Sequence, residues 1–366
     1  MPLADQIRRF DPARPLNTAR TIPNTWYTCP EVLEAERRAV FGSSWQMVGR
    51  TVQVAEPGSF LTADVAGEPI LVVRGEDRTL RAFFNVCRHR AAPILNAPCG
   101  RATKLRCRYH GWTYDLAGKL RGTPEFDGVE EFRKEDNGLA PVAVATRGPF
   151  VWVHLDPPKE SVEEYLDPLP KWSAGKMEGL EFARRVEYEL ACNWKVYVDN
   201  YLDGGYHVNT VHPALAGVLD YSGYKTTVFA NASVQTSPMK AGDPNDPATR
   251  TRTGTEAAYW WVFPNFMLNL YSGVMDTNLV LPMGPDRCKV IFDYYFAKGT
   301  AADFIDQSVA VAHQVQIEDV GICEEVQRGL HSRSYTVGRF SVKREAGGYH
   351  FHQLLSRHLA AGDEPA

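Results

Sequence analysis

The chain has 366 residues, a formal charge of −4 and seven cysteines. Its length suits about two domains with sizeable cores, and so small a charge gives no pull toward nucleic acid or an anionic membrane. The cysteines (Cys29, Cys87, Cys99, Cys107, Cys192, Cys288 and Cys323) are odd in number and scattered, which argues against a disulfide framework and fits a reducing, cytoplasmic setting with thiols free for metal.

The N-terminal stretch mixes Asp5, Arg8, Arg9 and Asp11 with few apolar residues, unlike a signal or transit peptide. No apolar run approaches the ~20 residues that a membrane span needs. Residues 1–25 read as an irregular arm broken by Pro12, Pro15 and Pro23, and Pro30 to Phe41 as a short helix stopped at Gly42. From Trp45 to Leu155 the pattern is all-β. Short apolar segments (Trp45–Val48, Ile70–Val73, Leu80–Asn85, Trp112–Tyr114, Phe150–His154) alternate with Gly, Pro and Asp. Asp156-Pro157-Pro158 marks a boundary. Beyond it the spacing predicts a short helix at Leu166–Trp172 and a strand at Phe182–Leu190. A helix from Asn193 to His212 is interrupted by Gly204-Gly205. Strands follow at Thr226–Phe229, Tyr259–Phe263, Phe266–Tyr271, Thr277–Leu281 and Lys289–Phe296, the last two joined through Gly284-Pro285-Asp286. Ala302 to Leu330 has the period of a long amphipathic helix, with Phe304, Ile305, Val309, Val311, Val315, Val320, Ile322 and Val326 on its apolar stripe and Gly329 at its end. A final helix is expected at Phe351–Leu359. The chain thus divides into an arm (1–44), a β module (45–157) and a larger domain (158–366).

Two motifs carry chemistry. Cys87-Arg88-His89 and Cys107-Arg108-Tyr109-His110 are separated by residues 90–106. Two thiolates and two imidazoles serve either a tetrahedral zinc or a Rieske [2Fe–2S] cluster with the cysteines on one iron and the histidines on the other. Each loop supplies one Cys and one His, so a cluster can be clamped from two sides, and Gly111-Trp112 lets the second loop turn back into a strand; the Rieske reading is preferred. Neither loop carries an extra cysteine, which points to a lower-potential centre. Arg88, Arg90 and Arg108 either dock an acidic electron donor or form a solvated rim.

The second motif is Asn200-Tyr-Leu-Asp-Gly-Gly-Tyr-His-Val-Asn-Thr-Val-His212. His207 and His212 offer two imidazoles, and a non-haem iron needs a carboxylate beside them with its other face open. Asp319 is the best candidate and Glu318 the runner-up, since a carboxylate on an apolar helix face needs a partner. Glu324 and Glu325 read as solvated. Asp203 and Asn200 are candidate catalytic residues of the same stretch.

With both motifs in place, the chain resembles the α subunits of Rieske-type ring-hydroxylating oxygenases, most narrowly the branch that oxidises choline. The likeness runs from Trp26 to Leu359 and includes Asn200-Tyr-Leu-Asp, Tyr206-His-Val, Pro264-Asn-Phe-Met, Met275-Asp-Thr-Asn-Leu-Val-Leu-Pro, Cys288-Lys-Val and Val326-Gln-Arg-Gly-Leu. The resemblance implies an α+β chain: an all-β Rieske module, then a helix-grip domain with a curved antiparallel sheet and a long C-terminal helix. It implies the cluster on Cys87, His89, Cys107 and His110, and a mononuclear Fe(II) on His207, His212 and Asp319. It implies electrons from ferredoxin and its reductase, a head-to-tail homotrimer in which one subunit's cluster feeds its neighbour's iron, and hydroxylation of choline by O2. The family's bridging acid stands three positions before the first iron histidine. Here that position is Gly204, so the bridge falls to Asp203, to Asp199 or to a water.

A quaternary ammonium has no N–H to donate and is recognised by aromatic faces. Tyr259, Trp261 and Phe263, on one face of a strand, with Tyr206, Tyr271 and Tyr221, are the candidate cage. Alternatives from the sequence are betaine or carnitine-type demethylation or hydroxylation, an aromatic substrate, a Rieske electron carrier, or a zinc-stapled ligand-binding protein.

Overall fold

The computed structural model describes residues 2–243 and 245–362. Its contacts separate into two units, Phe41–Tyr165 and Met1–Val40 with Leu166–Ala366. The N-terminal arm therefore goes with the second unit, where the Ile22 amide donates to His352 Nδ1 and the Thr21 amide to the Gly338 carbonyl. It is not irregular throughout, since helical turns form at Leu3–Ile7 and Thr25–Thr28. The expected helix at Pro30 is α-helical over Pro30–Glu36 and loosens into a π turn over Arg37–Gly42. Among the described residues no helix is long and apolar enough to cross a membrane.

The unit Phe41–Tyr165 is all-β. Its strands are β1 (Gln46–Arg50), β2 (Ser59–Val65), β3 (Glu68–Arg74), β4 (Leu80–Phe84), β5 (Cys99–Arg101), β6 (Leu105–Arg106), β7 (Thr113–Tyr114), β8 (Leu120–Gly122), β9 (Pro141–Arg147) and β10 (Phe150–His154). A seven-stranded sheet has the order β1-β10-β9-β4-β3-β2-β5, and β6-β7-β8 form a smaller one. β10 is buried along its whole length, which is why its sequence, Phe-Val-Trp-Val-His, reads as a continuous apolar run. β2 and β9 escape a sequence reading. β2 mixes Ser, Thr and Asp into its run, and β9 opens on proline and carries small alanines.

The other unit is built on an antiparallel sheet of β11 (Leu180–Leu190), β12 (Lys225–Val228), β13 (Ala232–Pro238), β14 (Glu256–Val262), β15 (Phe266–Tyr271), β16 (Val274–Gly284) and β17 (Arg287–Ala297), ordered β11-β17-β16-β15-β14-β13-β12. The β16–β17 hairpin closes with Gly284 opposite Arg287, as the Gly-Pro-Asp turn predicts. Its site-building helices are α1 (Trp194–Tyr201), α2 (Val208–Val211), α3 (Ala302–Leu330) and α4 (Ala346–Ala361). α4 begins earlier than periodicity suggests, because Gly347 and Gly348 hide its first turn. A Cβ on Gly347 would lie 3.1 Å from the Leu202 carbonyl, so the glycine permits a close approach.

α3 buries Val309, Gln316, Cys323, Gln327 and Leu330, whereas Val326, expected on the apolar stripe, is exposed. The buried Gln316 and Gln327 and the half-buried Asp319 on that stripe have partners on or beside α1. Gln327 Oε1 accepts from the Asn193 amide (2.9 Å), Gln316 Oε1 from Tyr197 OH (2.7 Å) and Asp319 Oδ1 from Asn200 Nδ2 (2.6 Å). A second anchor is Lys195, whose Nζ lies 2.7 Å from Glu36 Oε1 with both side chains fully buried. Glu36 also accepts from Trp194 Nε1 at 2.8 Å. Helix α1, which leads into the histidine stretch, is thereby held from two sides.

Candidate metal centres and cavity

The two cysteine–histidine loops repeat one backbone pattern. The Cys87 amide donates to the Ala92 carbonyl and the Ala91 amide to the Cys87 carbonyl. The Cys107 amide donates to the Trp112 carbonyl and the Gly111 amide to the Cys107 carbonyl. The fifth residue of each loop, Ala91 (φ 58°) and Gly111 (φ 74°), is left-handed, which turns the chain sharply after the cysteine and histidine of each loop. Cys87 and Cys107 are buried in the hydrophobic core of the unit, with Trp112 and Tyr114. Tyr114 OH stands 3.5 Å from Cys87 Sγ and accepts from the Arg88 amide at 3.1 Å. The imidazoles lie outward: His89 Nδ1 is 3.1 Å from His110 Nδ1, and the His89 ring stacks on Trp112 at 4.9 Å. Two buried sulfurs beneath two outward nitrogens fit a [2Fe–2S] cluster, which Cys87 and Cys107 would hold through one iron and His89 and His110 through the other. All seven cysteines are free.

In the other unit, α1 stops at Tyr201 and two left-handed glycines follow, Gly204 (φ 71°) and Gly205 (φ 70°). A Cβ on Gly204 would run into the Arg344 carbonyl, so the acid expected at this position has no room. Asp203 organises the turn instead. Its Oδ1 accepts from the Tyr206 amide at 3.0 Å, and its Oδ2 from the His207 amide at 3.0 Å and from His207 Nδ1 at 2.5 Å. On the far side of α2, His212 Nδ1 donates to Glu318 Oε2 at 2.7 Å.

Both imidazoles therefore give their Nδ1 protons to carboxylates, which turns their Nε2 lone pairs inward. Those Nε2 atoms are 3.0 Å apart, and Asp319 Oδ1 is 3.1 Å from His212 Nε2 and 3.8 Å from His207 Nε2. Facing lone pairs beside a carboxylate repel unless a cation lies among them, so this donor set fits the two-histidine, one-carboxylate iron geometry. Among the described residues these three are the one group whose ligand atoms converge this way. A proton competes with a cation for that inward nitrogen: burial works against charge on His212, but the hydrogen bonds and charges of Asp319 and Glu318 outweigh it and hold its pKa above the ordinary imidazole range.

The remaining candidates separate. Glu318, the alternative ligand, turns to the outer nitrogen of His212. Glu324 accepts from the Ala191 amide. Asp199, the alternative bridge, is engaged by Tyr27 OH (2.6 Å) and His352 Nε2 (2.8 Å).

A cavity of about 120 Å³ opens onto the three ligand candidates. Sheet register explains its walls. Gln235, Tyr259, Asn269 and Asp276 form one cross-strand row, and Asn278 and Phe292 belong to the next. All six line the cavity, with Tyr224 and Tyr271 beside them and Val311, Ala312 and Val315 of α3 opposite. Of the candidate cage, Tyr259 and Tyr271 are in the wall, their hydroxyls 3.0 Å apart. The others are not. Trp261 is covered by Phe351 of α4, Phe263 stacks on His358, Tyr206 is exposed, and Tyr221 lies under the Arg344 guanidinium. Strand alternation identifies a face, but α4 decides which rows of that face are sealed. Sequence reasoning did not single out Tyr224, Arg252, Asp276 or Phe292; of these only Asp276 carried a signal, inside the Met275-Asp-Thr-Asn motif.

Two family models match the chain, "Rieske [2Fe-2S] domain" over residues 44–133 and "Ring hydroxylating alpha subunit (catalytic domain)" over residues 177–361. A choline monooxygenase of Arabidopsis thaliana is 41% identical, over 96% of this chain and 86% of that protein. A carnitine monooxygenase oxygenase subunit of Acinetobacter baumannii is 31% identical, over 94% of this chain and 95% of the relative. Among solved structures, a quaternary ammonium Rieske monooxygenase superposes with a TM-score of 0.84 at 30% identity, covering 93% of this chain and 96% of the other.

Proposed function

The chain belongs to the ring-hydroxylating oxygenase α-subunit family, Rieske monooxygenases that use a [2Fe–2S] cluster, a mononuclear iron, O2 and an electron donor, and on that footing we propose that it hydroxylates choline. The product would be the hydrate of betaine aldehyde: one oxygen atom enters the carbinol C–H bond, and the other leaves as water with an electron pair and two protons supplied. The observation that carries this reading is the small cavity in which Tyr224, Tyr259, Tyr271 and Phe292 share one enclosure with His207, His212 and Asp319. Aromatic faces hold a trimethylammonium, and a cation held there directs the hydroxymethyl end toward the ligand set.

We assign Cys87, His89, Cys107 and His110 to the cluster and His207, His212 and Asp319 to the iron, with the electron-relay module over residues 45–157 and the oxygenase module over residues 158–366. The chemistry available at the second site, once loaded, is reductive activation of O2 at iron. The chain's own work there is positional. Asp203 and Glu318 hold the Nδ1 protons of the two histidines, Asn200 Nδ2 steadies the inner oxygen of Asp319, and the aromatic and amide side chains of the cavity wall shape the space beside them.

Electrons would come from a ferredoxin and its reductase in the cytoplasm, where free thiols persist. Transfer would run between subunits of a homotrimer through Asp203, whose Oδ1 keeps a lone pair beyond those used in its turn. The solved relative, described by its inter-subunit electron transfer, supports that arrangement.

A second reading has its own observation. Arg252 is buried in the cavity wall, with Nη1 2.7 Å from Ser308 Oγ, and a guanidinium there favours a substrate that also carries a carboxylate, of the betaine or carnitine type. The test is O2 uptake by the protein with ferredoxin and reductase, offered choline, glycine betaine, carnitine and benzoate in turn. Uptake with choline and one equivalent of aldehyde is the expected result. Uptake that ignores choline and follows a zwitterion selects the second reading. An iron content no greater than that of the cluster overturns both.

A further inference from the structure

We propose that Asp276 is the buried counter-ion for the substrate's quaternary ammonium. The inference rests on the quaternary-ammonium reading above and adds the residue that selects for charge. Asp276 sits on β16, is 3% exposed and faces the cavity. Its Oδ2 accepts from Asn269 Nδ2 at 2.7 Å. That amide cannot be reversed without loss, because Asn269 Oδ1 accepts from Tyr201 OH at 2.7 Å. Asp276 is thus a fixed acceptor, presented by a hydrogen-bonded neighbour.

What it lacks is a cation. Among the described residues no lysine, arginine or histidine forms an ion pair with it. Arg252, the other charge of the wall, lies 5.0 Å from the Tyr271 ring and donates to Ser308, acting on Asp276 only through space. Burial pushes the Asp276 carboxyl above its ordinary range, outweighing the opposing pull of the Arg252 charge and of the Asn269 and Asn278 amides, as expected of a carboxylate held out of water with no cation in contact. A cation entering the cavity removes that penalty. A quaternary ammonium suits the place better than a primary one. It needs no hydrogen bonds, and Tyr259 and Tyr271, on strands β14 and β15 of the same sheet face, add aromatic surface beside the carboxylate. The charge of the carboxylate and the ring faces then recognise the same group, and the neutral carbon analogue of choline is refused because it leaves Asp276 buried and unpaired.

Calorimetric titration of the holoprotein with choline, tetramethylammonium and the neutral 3,3-dimethylbutan-1-ol tests this without turnover. Asp276→Asn, which keeps the shape and the bonding to Asn269, should weaken both cations by about tenfold or more and leave the neutral alcohol within about threefold. Asp276→Glu should restore part of the preference. If Asp276→Asn does not fold, Asp276→Ser replaces it. The wild type is decisive alone if it prefers choline to the neutral analogue by less than about threefold, which overturns the counter-ion. A wild type that binds neither cation overturns the quaternary-ammonium reading itself. A strong wild-type preference that survives in the Asn and Ser variants overturns Asp276 and leaves that reading standing.

Discussion

Glu318→Leu distinguishes a carboxylate that orients a metal ligand from one that merely sits nearby. Glu318 Oε2 is 2.7 Å from His212 Nδ1, and the carboxylate is 22% exposed. Its other oxygen accepts from Gln314 Nε2 at 3.0 Å, so the side chain is held in place. A charge-assisted bond of this kind is worth about 1.5–3 kcal/mol, and partial exposure places it toward the lower end. Losing it frees the His212 ring to turn and lowers the basicity of Nε2. The Fe(II) affinity should then fall about 10–100-fold. Glu318→Gln, whose amide oxygen still accepts, should fall less. The assay is anaerobic competition for Fe(II) or Co(II) against a chromophoric chelator, with the visible absorption of the cluster as internal control. An affinity for Glu318→Leu within about twofold of wild type, with the cluster intact, would refute the orienting role.

Three further outcomes follow from the same geometry. Asp203→Asn should keep its iron but slow cluster-to-iron electron transfer in a single turnover by about tenfold or more, while Asp199→Asn, engaged with Tyr27 and His352, should not; equal rates in both would place the bridge elsewhere. Gly204→Ala should be destabilised by about 1–2 kcal/mol from its left-handed backbone alone, with more from the Arg344 carbonyl, read as a lower Tm and lower iron content. An unchanged Tm would mean that the turn relaxes freely. Lys195→Met leaves Glu36 buried without its cation and should cost about 3–5 kcal/mol in denaturant unfolding, much of it recovered with Glu36→Gln added. A single-variant loss under about 1 kcal/mol would show that water reaches the pair.

Candidate ligand sets that are local in the chain were legible without coordinates. The Cys-x-His and Cys-x-x-His loops and the pair His207 and His212 are short-range patterns, because each set shares one turn and its spacing is constrained by it. The long helix over Ala302–Leu330 was legible because its period persists for many turns. Asp319 was the preferred carboxylate from its apolar helix face and the resemblance strengthened it, but its neighbour Glu318 offers the same chemistry; only the approach of α3 to α2 shows one carboxylate turned inward and the other set behind the ring. The bridge position is similar. Sequence shows a glycine where an acid is expected, and the fold supplies the reason, a backbone carbonyl pressed against Gly204.

The cavity was the least legible part. Alternation along β14 puts Tyr259 and Trp261 on one face, and both are there. α4 seals Trp261 against Phe351 and leaves Tyr259 open. Tyr224, Arg252, Asp276 and Phe292 come from four separate segments and meet only through strand pairing and helix packing. The metal chemistry of this chain is therefore written in short motifs, because a metal demands particular atoms at close range. Its selectivity is decided by tertiary structure, because a cavity wall is assembled from residues whose only common property is which surface remains uncovered.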